Sequence, residues 1–193
     1  MDGLNAVLCS RNPHKARELE RLLPGWTIAP LVRDDYPPET GGTYYENALI
    51  KARYGRKHAV GPVLAEDSGI EVAALGGRPG VLSARYAPEG APAIAKLLAE
   101  LGDAEDRRAR YVSELVLLTP DGAELRGTGI LEGRIAHEPR GSEGFGYDPV
   151  FVPDGEERTV AELGDAWKAG HSHRARAAQA LLSAPAAAPS TTS

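Results

Sequence analysis

The 193-residue sequence has little cysteine, no long apolar run and no excess of basic charge. Its only cysteine, Cys9, excludes an internal disulfide framework, fits a reducing cytoplasm and is predicted to be a small buried hydrophobe within "AVLC". No apolar stretch approaches the roughly 20 residues of a membrane span, and "MDGLNAVL" lacks the basic start of a signal peptide. A net charge of −5 disfavours a nucleic-acid polymer as partner, whereas a few local cations suffice for a nucleotide monomer. We therefore expect a cytoplasmic protein without membrane contact.

The sequence does contain the material for a core, since 42% of its residues are hydrophobic. Short apolar runs alternate with segments of helical periodicity, which predicts an α/β fold with a mixed β-sheet flanked by helices. Strands are predicted in "NAVLCS", "WTIAPLV", "PVLAEDSGIEV", "ARYVSELVLLT" and "AELRGTGILEGRI". Helices are predicted in "HKARELERLL", "YYENALIKARYGRKH", "APAIAKLLAELG" and "SHRARAAQALLS". Residues 1–183 are expected to form a single domain, and the low-complexity segment 184–193 a disordered tail.

The segment "SRNPHK" joins the first predicted strand to the first predicted helix. A helix N-terminus offers unpaired N–H groups and partial positive charge to an anion. Lys15 adds a full charge there, and Ser10 and Asn12 add hydrogen-bonding groups. The spacing of a Walker A loop is absent. Phosphate binding and simple capping of the helix by Asn12 both fit this pattern.

Carboxylates in three places are candidates for metal binding. Glu39 lies in a Pro-rich loop, and Glu46 lies near the start of a predicted helix. Glu66 and Asp67 are predicted to follow an apolar strand, in a polar turn that Gly69 permits. Mg²⁺ is typically held by one or two carboxylates together with water and substrate phosphates. The alternative is that Asp67 only begins an Asx-turn.

A basic cluster in "WKAGHSHRAR" stands out in this acidic chain. Its cationic residues are Lys168, His171, His173, Arg174 and Arg176. Neither a cysteine nor a third spaced ligand supports a zinc site there. The cluster predicts either recognition of an anion or a base edge by planar donors, or a solvated start of a basic helix.

The segment "SEGFGYDPVF", residues 142–151, contains both phenylalanines of the chain. Taken alone, its aromatic residues fit core packing better than ligand binding. Next to a phosphate loop and basic donors elsewhere in the chain, Phe145 becomes a candidate for stacking on a base. Gly144 and Gly146 would allow close approach of the backbone, and Asp148 would orient neighbouring donors.

Six segments, taken together and in their order, resemble the inosine triphosphate pyrophosphatase family, whose members hydrolyse deaminated purine nucleoside triphosphates such as ITP, dITP and XTP. The segments are "SRNPHKARELERLL", "ETGGTYYENALIKA", "EDSGIEV", "LGGRPGVLSARY", "GFGYDPVF" and "AELGDAWKAGHSHRARA". They span residues from about 7 to 183. Each is modest alone, and six in the family's order are specific.

The resemblance implies a long mixed central sheet in two lobes with an active-site cleft between them, a homodimer, and Mg²⁺-dependent release of pyrophosphate from a nucleoside triphosphate. It implies that Glu39 and Asp67 are the metal-linked carboxylates and that Asp67 is the general base. The residues it implies for nucleotide binding are Ser10, Arg11, Asn12, Pro13, His14, Lys15, Ser68, Phe145, Gly146, Tyr147, Asp148, Lys168, His173 and Arg174.

Three positions depart from the family's pattern. Arg11 and Glu143 stand where Gly is common, and Glu66 stands where Asp is frequent. Three rival interpretations also stay open: a pyrophosphatase acting on dTTP or UTP, a non-catalytic nucleotide-binding protein, and a structural or interaction protein. The carboxylates of Glu39, Glu46 and Asp67 argue against the last two.

Overall fold

The computed structural model describes residues 3–184. Its strands are β1 (Asn5–Cys9), β2 (Thr27–Pro30), β3 (Val63–Val72), β4 (Arg108–Leu118), β5 (Glu124–Ile135) and β6 (Phe151–Pro153). Its α-helices are α1 (Pro13–Leu22), α2 (Tyr44–Arg56), α3 (Ala91–Leu101), α4 (Val160–His171) and α5 (His173–Ser183). Short 3₁₀ helices lie at Ala73–Leu75, Gly80–Arg85 and Asp148–Val150.

The six strands form one mixed sheet in the order β2-β1-β3-β4-β5-β6. β1 pairs in parallel with β2 on one side and with β3 on the other, while β5 and β6 are antiparallel. Parallel neighbours need a crossover connection, which α1 and α2 provide. The predicted α/β class, with a mixed central sheet and flanking helices, is confirmed.

The chain divides into two compact units, each built from several segments. The first unit contains the chain up to Asp67, Ser113–Gly129 and the chain from Arg174 onward. The second unit contains Ser68–Val112 and Ile130–His173. The single domain expected over residues 1–183 stays a prediction, and the predicted tail at 184–193 lies outside the described residues except for Ala184.

In the first unit, alternate residues of β3 face different helices. Leu64 packs in a cluster with Leu19 of α1 and Leu181 of α5. Its neighbours in sequence, Val63 and Ala65, pack instead with residues of α2 such as Ala48. This alternation follows from the two-residue period of a strand. It continues through Glu66 and Asp67, the last residues of β3 that belong to the first unit.

In the second unit, α3 and the segment 147–151 cover a separate apolar cluster. Leu97 of α3, Ile70 of β3 and Phe151 are fully buried there. Tyr111 of β4 and Tyr147 belong to the same cluster. Tyr147 and Phe151 are therefore core residues, as the sequence taken alone suggested for this segment.

The predicted polar turn within "AEDSG" is wrong, because β3 runs without interruption from Val63 to Val72. Both carboxylates are instead buried and bonded to cationic side chains, so the strand can continue through them. The alternative that Asp67 begins an Asx-turn is therefore wrong as well.

None of the helices within residues 3–184 has the length and apolar content needed to cross a membrane.

Candidate functional site

The loop between β1 and α1 is held in a fixed shape by its own polar side chains. Asn12 is the N-cap of α1, and its side-chain oxygen accepts hydrogen bonds from the backbone N–H groups of His14 at 2.8 Å and Lys15 at 3.4 Å. Ser10 Oγ accepts from the backbone N–H of Asn12 at 3.1 Å. Pro13 occupies the first turn, where its missing N–H costs nothing. The capping role considered for Asn12 is therefore present in the structure.

Arg11 is directed toward a neighbouring loop of the first unit. Its Nη2 donates to the carbonyl oxygens of Tyr36 at 3.2 Å and Asp34 at 3.4 Å, and its guanidinium lies 5.0 Å from the centroid of the Tyr36 ring. His14 is exposed, with Nδ1 3.0 Å from Nη2 of Arg17. Arg11 thus fastens the loop that leads to Glu39.

A buried carboxylate, Glu66, organises the basic side chains nearby. Its Oε2 lies 2.7 Å from Nζ of Lys15, and its Oε1 accepts from Nε of Arg174 at 3.1 Å and from Oγ of Ser113 at 3.0 Å. The Glu66 side chain is 0% exposed. Burial acts to raise the pKa of Glu66, but the charges of Lys15 and Arg174 outweigh it and hold that pKa well below its ordinary value. Glu66 is therefore ionised and pairs with two cations. We call Lys15, Glu66, Ser113 and Arg174 the Glu66 cluster.

Arg174 is bonded at both ends of its guanidinium. Besides its contact with Glu66, it donates from Nη1 to Glu18 at 2.9 Å. Its side chain is 5% exposed, so it is not part of a solvated helix face.

A second charged group lies on the other face of β3. Lys51 of α2 extends its Nζ to Oε1 of Glu39 at 2.7 Å and to Oδ1 of Asp67 at 2.9 Å. Asn47 donates to Oδ2 of Asp67 at 3.3 Å and accepts from the backbone N–H of Gly41 at 2.8 Å. We call Glu39, Asn47, Lys51 and Asp67 the Lys51 cluster. Asn47 links the loop that carries Glu39 to the strand that carries Asp67.

Burial sets the electrostatics of the Lys51 cluster. It raises the pKa of Asp67 above its ordinary value, although the nearby charge of Lys51 acts against this shift. Burial acts to lower the pKa of Lys51, but Asp67 and Glu39 outweigh it, so that pKa is raised and Lys51 keeps its proton. A carboxylate with a raised pKa is a stronger base than an ordinary one, which suits proton abstraction.

The donor set of the Lys51 cluster fits Mg²⁺. Glu39 and Asp67 bond to one ammonium group, so two carboxylates lie within a short reach of each other. Two carboxylates completed by water and phosphate oxygens is a usual magnesium environment. Glu46 is occupied elsewhere, because its carboxylate accepts from the backbone N–H groups of Gly42 and Thr43 in a capping box. Among residues 3–184 there is no group of three or more His, Cys, Asp or Glu side chains arranged to hold a metal ion.

The second unit brings together most of the residues predicted for base binding. Oδ2 of Asp148 accepts from Nζ of Lys168 at 2.8 Å and from the backbone N–H of Phe145 at 2.9 Å. Oδ1 of Asp148 accepts from the Tyr111 hydroxyl at 3.2 Å. The ammonium of Lys168 also lies 4.8 Å from the centroid of the half-buried Phe145 ring. We call Tyr111, Phe145, Asp148 and Lys168 the Asp148 cluster.

The glycines of this segment have the roles that their lack of a side chain allows. A Cβ atom on Gly144 would collide with the carboxylate of Asp148, and φ at Gly144 is +78°. Gly146 has φ of +65° and open space around it. The departure at Glu143 makes a structural contact, since its carboxylate accepts from the backbone N–H of Asp165 at 3.0 Å, directly after the break in α4 at Gly164.

His173 stacks on Tyr111, with ring centroids 4.5 Å apart and planes inclined by 9°. Together with the burial of Lys168 and Arg174, this excludes the solvated-helix interpretation for those three residues. The solvated-helix interpretation holds for His171 and Arg176, because both residues are exposed.

Tyr147 and Ser68 are two predicted residues outside the clusters named above. Tyr147 is buried and donates its hydroxyl to the carbonyl oxygen of Ser83 at 3.3 Å. Ser68 follows Asp67 on β3 and is half-buried.

Lys51, Asn47 and Tyr111 were not among the residues predicted from the sequence. A signal for the first two was available: Asn47 and Lys51 are four residues apart, on the face of α2 that carries the inward-facing Ala48. A polar pair on the apolar face of a helix indicates a buried partner of opposite charge. Tyr111 gave no comparable signal, because an aromatic residue in a strand is ordinary core material.

Comparisons with known proteins show which family this chain resembles. The model of the Ham1 family matches residues 6–184. A dITP/XTP pyrophosphatase of Thermus thermophilus is 46% identical, over 94% of this chain and 92% of that protein. A dITP/XTP pyrophosphatase of Symbiobacterium thermophilum is 49% identical, over 92% of each chain. The solved structure of a HAM1 protein from Coxiella burnetii superposes with a TM-score of 0.80 at 41% identity, over 91% of this chain and 95% of that one.

Proposed function

The chain belongs to the Ham1 family, and from this membership we propose that it hydrolyses deaminated purine nucleoside triphosphates, ITP, dITP and XTP, to the monophosphate and pyrophosphate. The observation that carries the proposal is the Lys51 cluster, in which a buried carboxylate of raised pKa stands beside a second carboxylate and a protonated amine. A binding protein without catalysis has no need of such a base. The relatives named as dITP/XTP pyrophosphatases support the choice of substrate.

Asp67 would act as general base. It would take a proton from water while the water oxygen bonds to the α-phosphorus, and the bond from that phosphorus to the bridging oxygen would break to release pyrophosphate. Asn47 and Lys51 each hold one oxygen of Asp67 and so fix its orientation. We place Mg²⁺ on Glu39 and Asp67, where it would neutralise charge on the triphosphate and on the leaving pyrophosphate.

Lys15 and the capped start of α1 would bind phosphate oxygens. Glu66 holds the ammonium of Lys15 at 2.7 Å, so this cation is in place before a ligand arrives. The backbone N–H groups at a helix N-terminus add a partial positive charge. Ser10, Asn12 and Ser68 would add polar contacts.

The purine would be bound by Phe145, Lys168 and His173, with Asp148 holding the ammonium of Lys168 and the backbone of Phe145 in place. Phe145 offers a ring face for stacking, and Lys168 and His173 offer donors toward the 6-oxo group that separates hypoxanthine and xanthine from adenine. A site built to hydrogen-bond one group can reject an analogue that lacks it by roughly 10⁴-fold. Guanine shares the 6-oxo group, so its 2-amino group would be excluded by shape or by an unmet donor.

The test of substrate class is pyrophosphate release in the presence of Mg²⁺ across ITP, XTP, dITP, GTP, ATP, dTTP and UTP. We expect the deaminated purines to be hydrolysed much faster than the others. Equal rates on ATP would contradict the proposal, and a preference for dTTP or UTP would favour the pyrimidine alternative. Binding of ITP without pyrophosphate release would indicate a nucleotide sensor.

The test of the base is Asp67→Asn, which keeps size and removes basicity. We expect turnover to fall about 10²–10⁴-fold. Because activity needs the ionised carboxylate, wild-type activity should fall as decreasing pH protonates Asp67, and Asp67→Asn should show no such dependence. Glu71→Gln, on the same strand and paired with the half-exposed Arg110, is the matched control and should retain activity. Near-wild-type turnover of Asp67→Asn would exclude Asp67 as base.

The homodimer, the absence of nucleic-acid partners and the cytoplasmic location stay predictions. The first is checked by sedimentation equilibrium of the purified protein.

A further inference from the structure

Tyr111 lies between the core of the second unit and a residue proposed to contact the base. Its ring centroid is 4.5 Å from that of Phe151 at an interplanar angle of 44°, and 4.5 Å from that of His173 at 9°. Phe151 is fully buried and Tyr111 is 6% exposed. A ring backed by a close-packed core has little freedom to tilt, so the plane of Tyr111 sets the plane available to His173.

The hydroxyl of Tyr111 acts on a second residue of the proposed base site. It donates to Oδ1 of Asp148 at 3.2 Å, while Oδ2 of the same carboxylate accepts from Lys168 and from the backbone N–H of Phe145. A donor on one oxygen opposes rotation of the carboxylate, so the other oxygen stays directed at Lys168 and Phe145. The side chain of Tyr111 therefore constrains both His173 and Asp148.

The geometry assigns to Tyr111 a positioning role in base recognition: its face holds the ring of His173, and its hydroxyl holds the carboxylate of Asp148. Tyr111 exerts this role through those residues and needs no contact with the nucleotide. The inference rests on the proposed function, because Phe145, Lys168 and His173 are the residues proposed to bind the base.

Two variants separate the two contacts. Tyr111→Phe removes the hydroxyl and keeps the ring, and Tyr111→Leu removes both. Tyr86→Phe is the matched control, since Tyr86 is a half-buried tyrosine of the same unit outside the proposed site. The measurements are KM and kcat for ITP, and the inhibition constant of inorganic tripolyphosphate, which carries the phosphates without a base.

We expect KM for ITP to rise about threefold to tenfold in Tyr111→Phe, the effect of one hydrogen bond to a charged group at a long distance. In Tyr111→Leu it should rise by about tenfold more, because the stack is lost as well. The inhibition constant of tripolyphosphate and kcat should stay within about twofold of wild type. A loss of folded protein alone would lower kcat and leave KM unchanged, so this pattern distinguishes positioning from a purely structural role.

Three outcomes would overturn the inference. One is a KM for ITP in Tyr111→Phe equal to that of Tyr86→Phe, a comparison that stands even where Tyr111→Leu does not fold. Another is a parallel rise of KM and of the tripolyphosphate inhibition constant, which would show general distortion. The third is a wild-type protein that releases no pyrophosphate from ITP, which would overturn the proposed function as well; the first two leave that function intact.

Discussion

Replacing Glu66 by Gln tests the central electrostatic feature of the first unit. The substitution keeps the shape of the side chain and removes its charge, which leaves Lys15 and Arg174 without their shared anion. The Glu66 side chain is 0% exposed, and the side chains of Lys15 and Arg174 are 13% and 5% exposed, so water replaces the lost partner only in part. Removing one member of a buried ion pair costs about 3–5 kcal/mol.

That loss is large against a total stability of about 5–15 kcal/mol. For a chain of this size, each kcal/mol shifts Tm by roughly 2–4 °C, so we expect Glu66→Gln to melt about 6–20 °C below wild type. Urea unfolding followed by circular dichroism gives the free energy, and calorimetry gives Tm. The effect also has a pH signature: since the pKa of Glu66 is lowered in the fold, its stabilisation is complete above the unfolded value of about 4.3 and is lost as pH falls toward the folded value.

The matched control is Glu114→Gln, in the same unit. Glu114 is buried too, but its partner Arg126 has a side chain that is 48% exposed and can be solvated when the pair is broken. We therefore expect the control to lose only up to about 1 kcal/mol. If Glu66→Gln lost no more stability than Glu114→Gln, the idea that Glu66 is the anion shared by half-buried Lys15 and buried Arg174 would be refuted.

Three further predictions concern the first unit. Lys51→Met should destabilise the fold by about 3–5 kcal/mol, because Glu39 and Asp67 lose the ammonium group between them. Added Mg²⁺ should therefore raise Tm more in this variant than in wild type. An equal rise in Tm would contradict the assignment of Mg²⁺ to these carboxylates. Burial raises the pKa of Cys9 to about 12, so its thiol should resist iodoacetamide at pH 8 until urea unfolds the chain. The free energy of unfolding should decline as pH rises from about 8.5 toward 12. Rapid labelling of the native protein would show local opening at β1. Asn12→Ala should cost about 1 kcal/mol in urea unfolding because α1 loses its cap, and an unchanged midpoint would show that water replaces it.

The sequence predicted the α/β class and the mixed sheet because these depend on periodicity, which a chain displays residue by residue. It failed at "AEDSG", where local composition favoured a turn and burial depended on partners far along the chain. Lys15 and Arg174 lie 51 and 108 residues from Glu66, and no pattern within β3 reveals them. The same reason explains why Lys168, His173 and Arg174 could be read as a solvated helix start. Their burial is a property of the neighbours that cover them.

The sequence predicted many residues of the candidate site, but it did not predict which of them contact each other. Asp67 and Glu39 were chosen as carboxylates, while the amine that joins them was overlooked, because a lysine in a helix is ordinarily a surface residue. Glu46 was an equally good acidic candidate in the sequence, but its carboxylate accepts hydrogen bonds from the backbone N–H groups of Gly42 and Thr43. Composition can propose such a group, but only packing decides which carboxylate is left for chemistry.

The uninterrupted course of β3 makes the alignment of this strand a condition for activity. Glu66 and Asp67 are neighbours whose side chains leave opposite faces of the strand, one toward α1 and α5 and the other toward α2. Sliding β3 by one residue against β1, from the pairing of Leu8 with Leu64, would exchange the two carboxylates and reverse every apolar side chain beside them. A misaligned chain would thus lose its base and its core in the same step. Activity per mole of total protein after refolding therefore reports the fraction of chains in which the strand has been placed correctly.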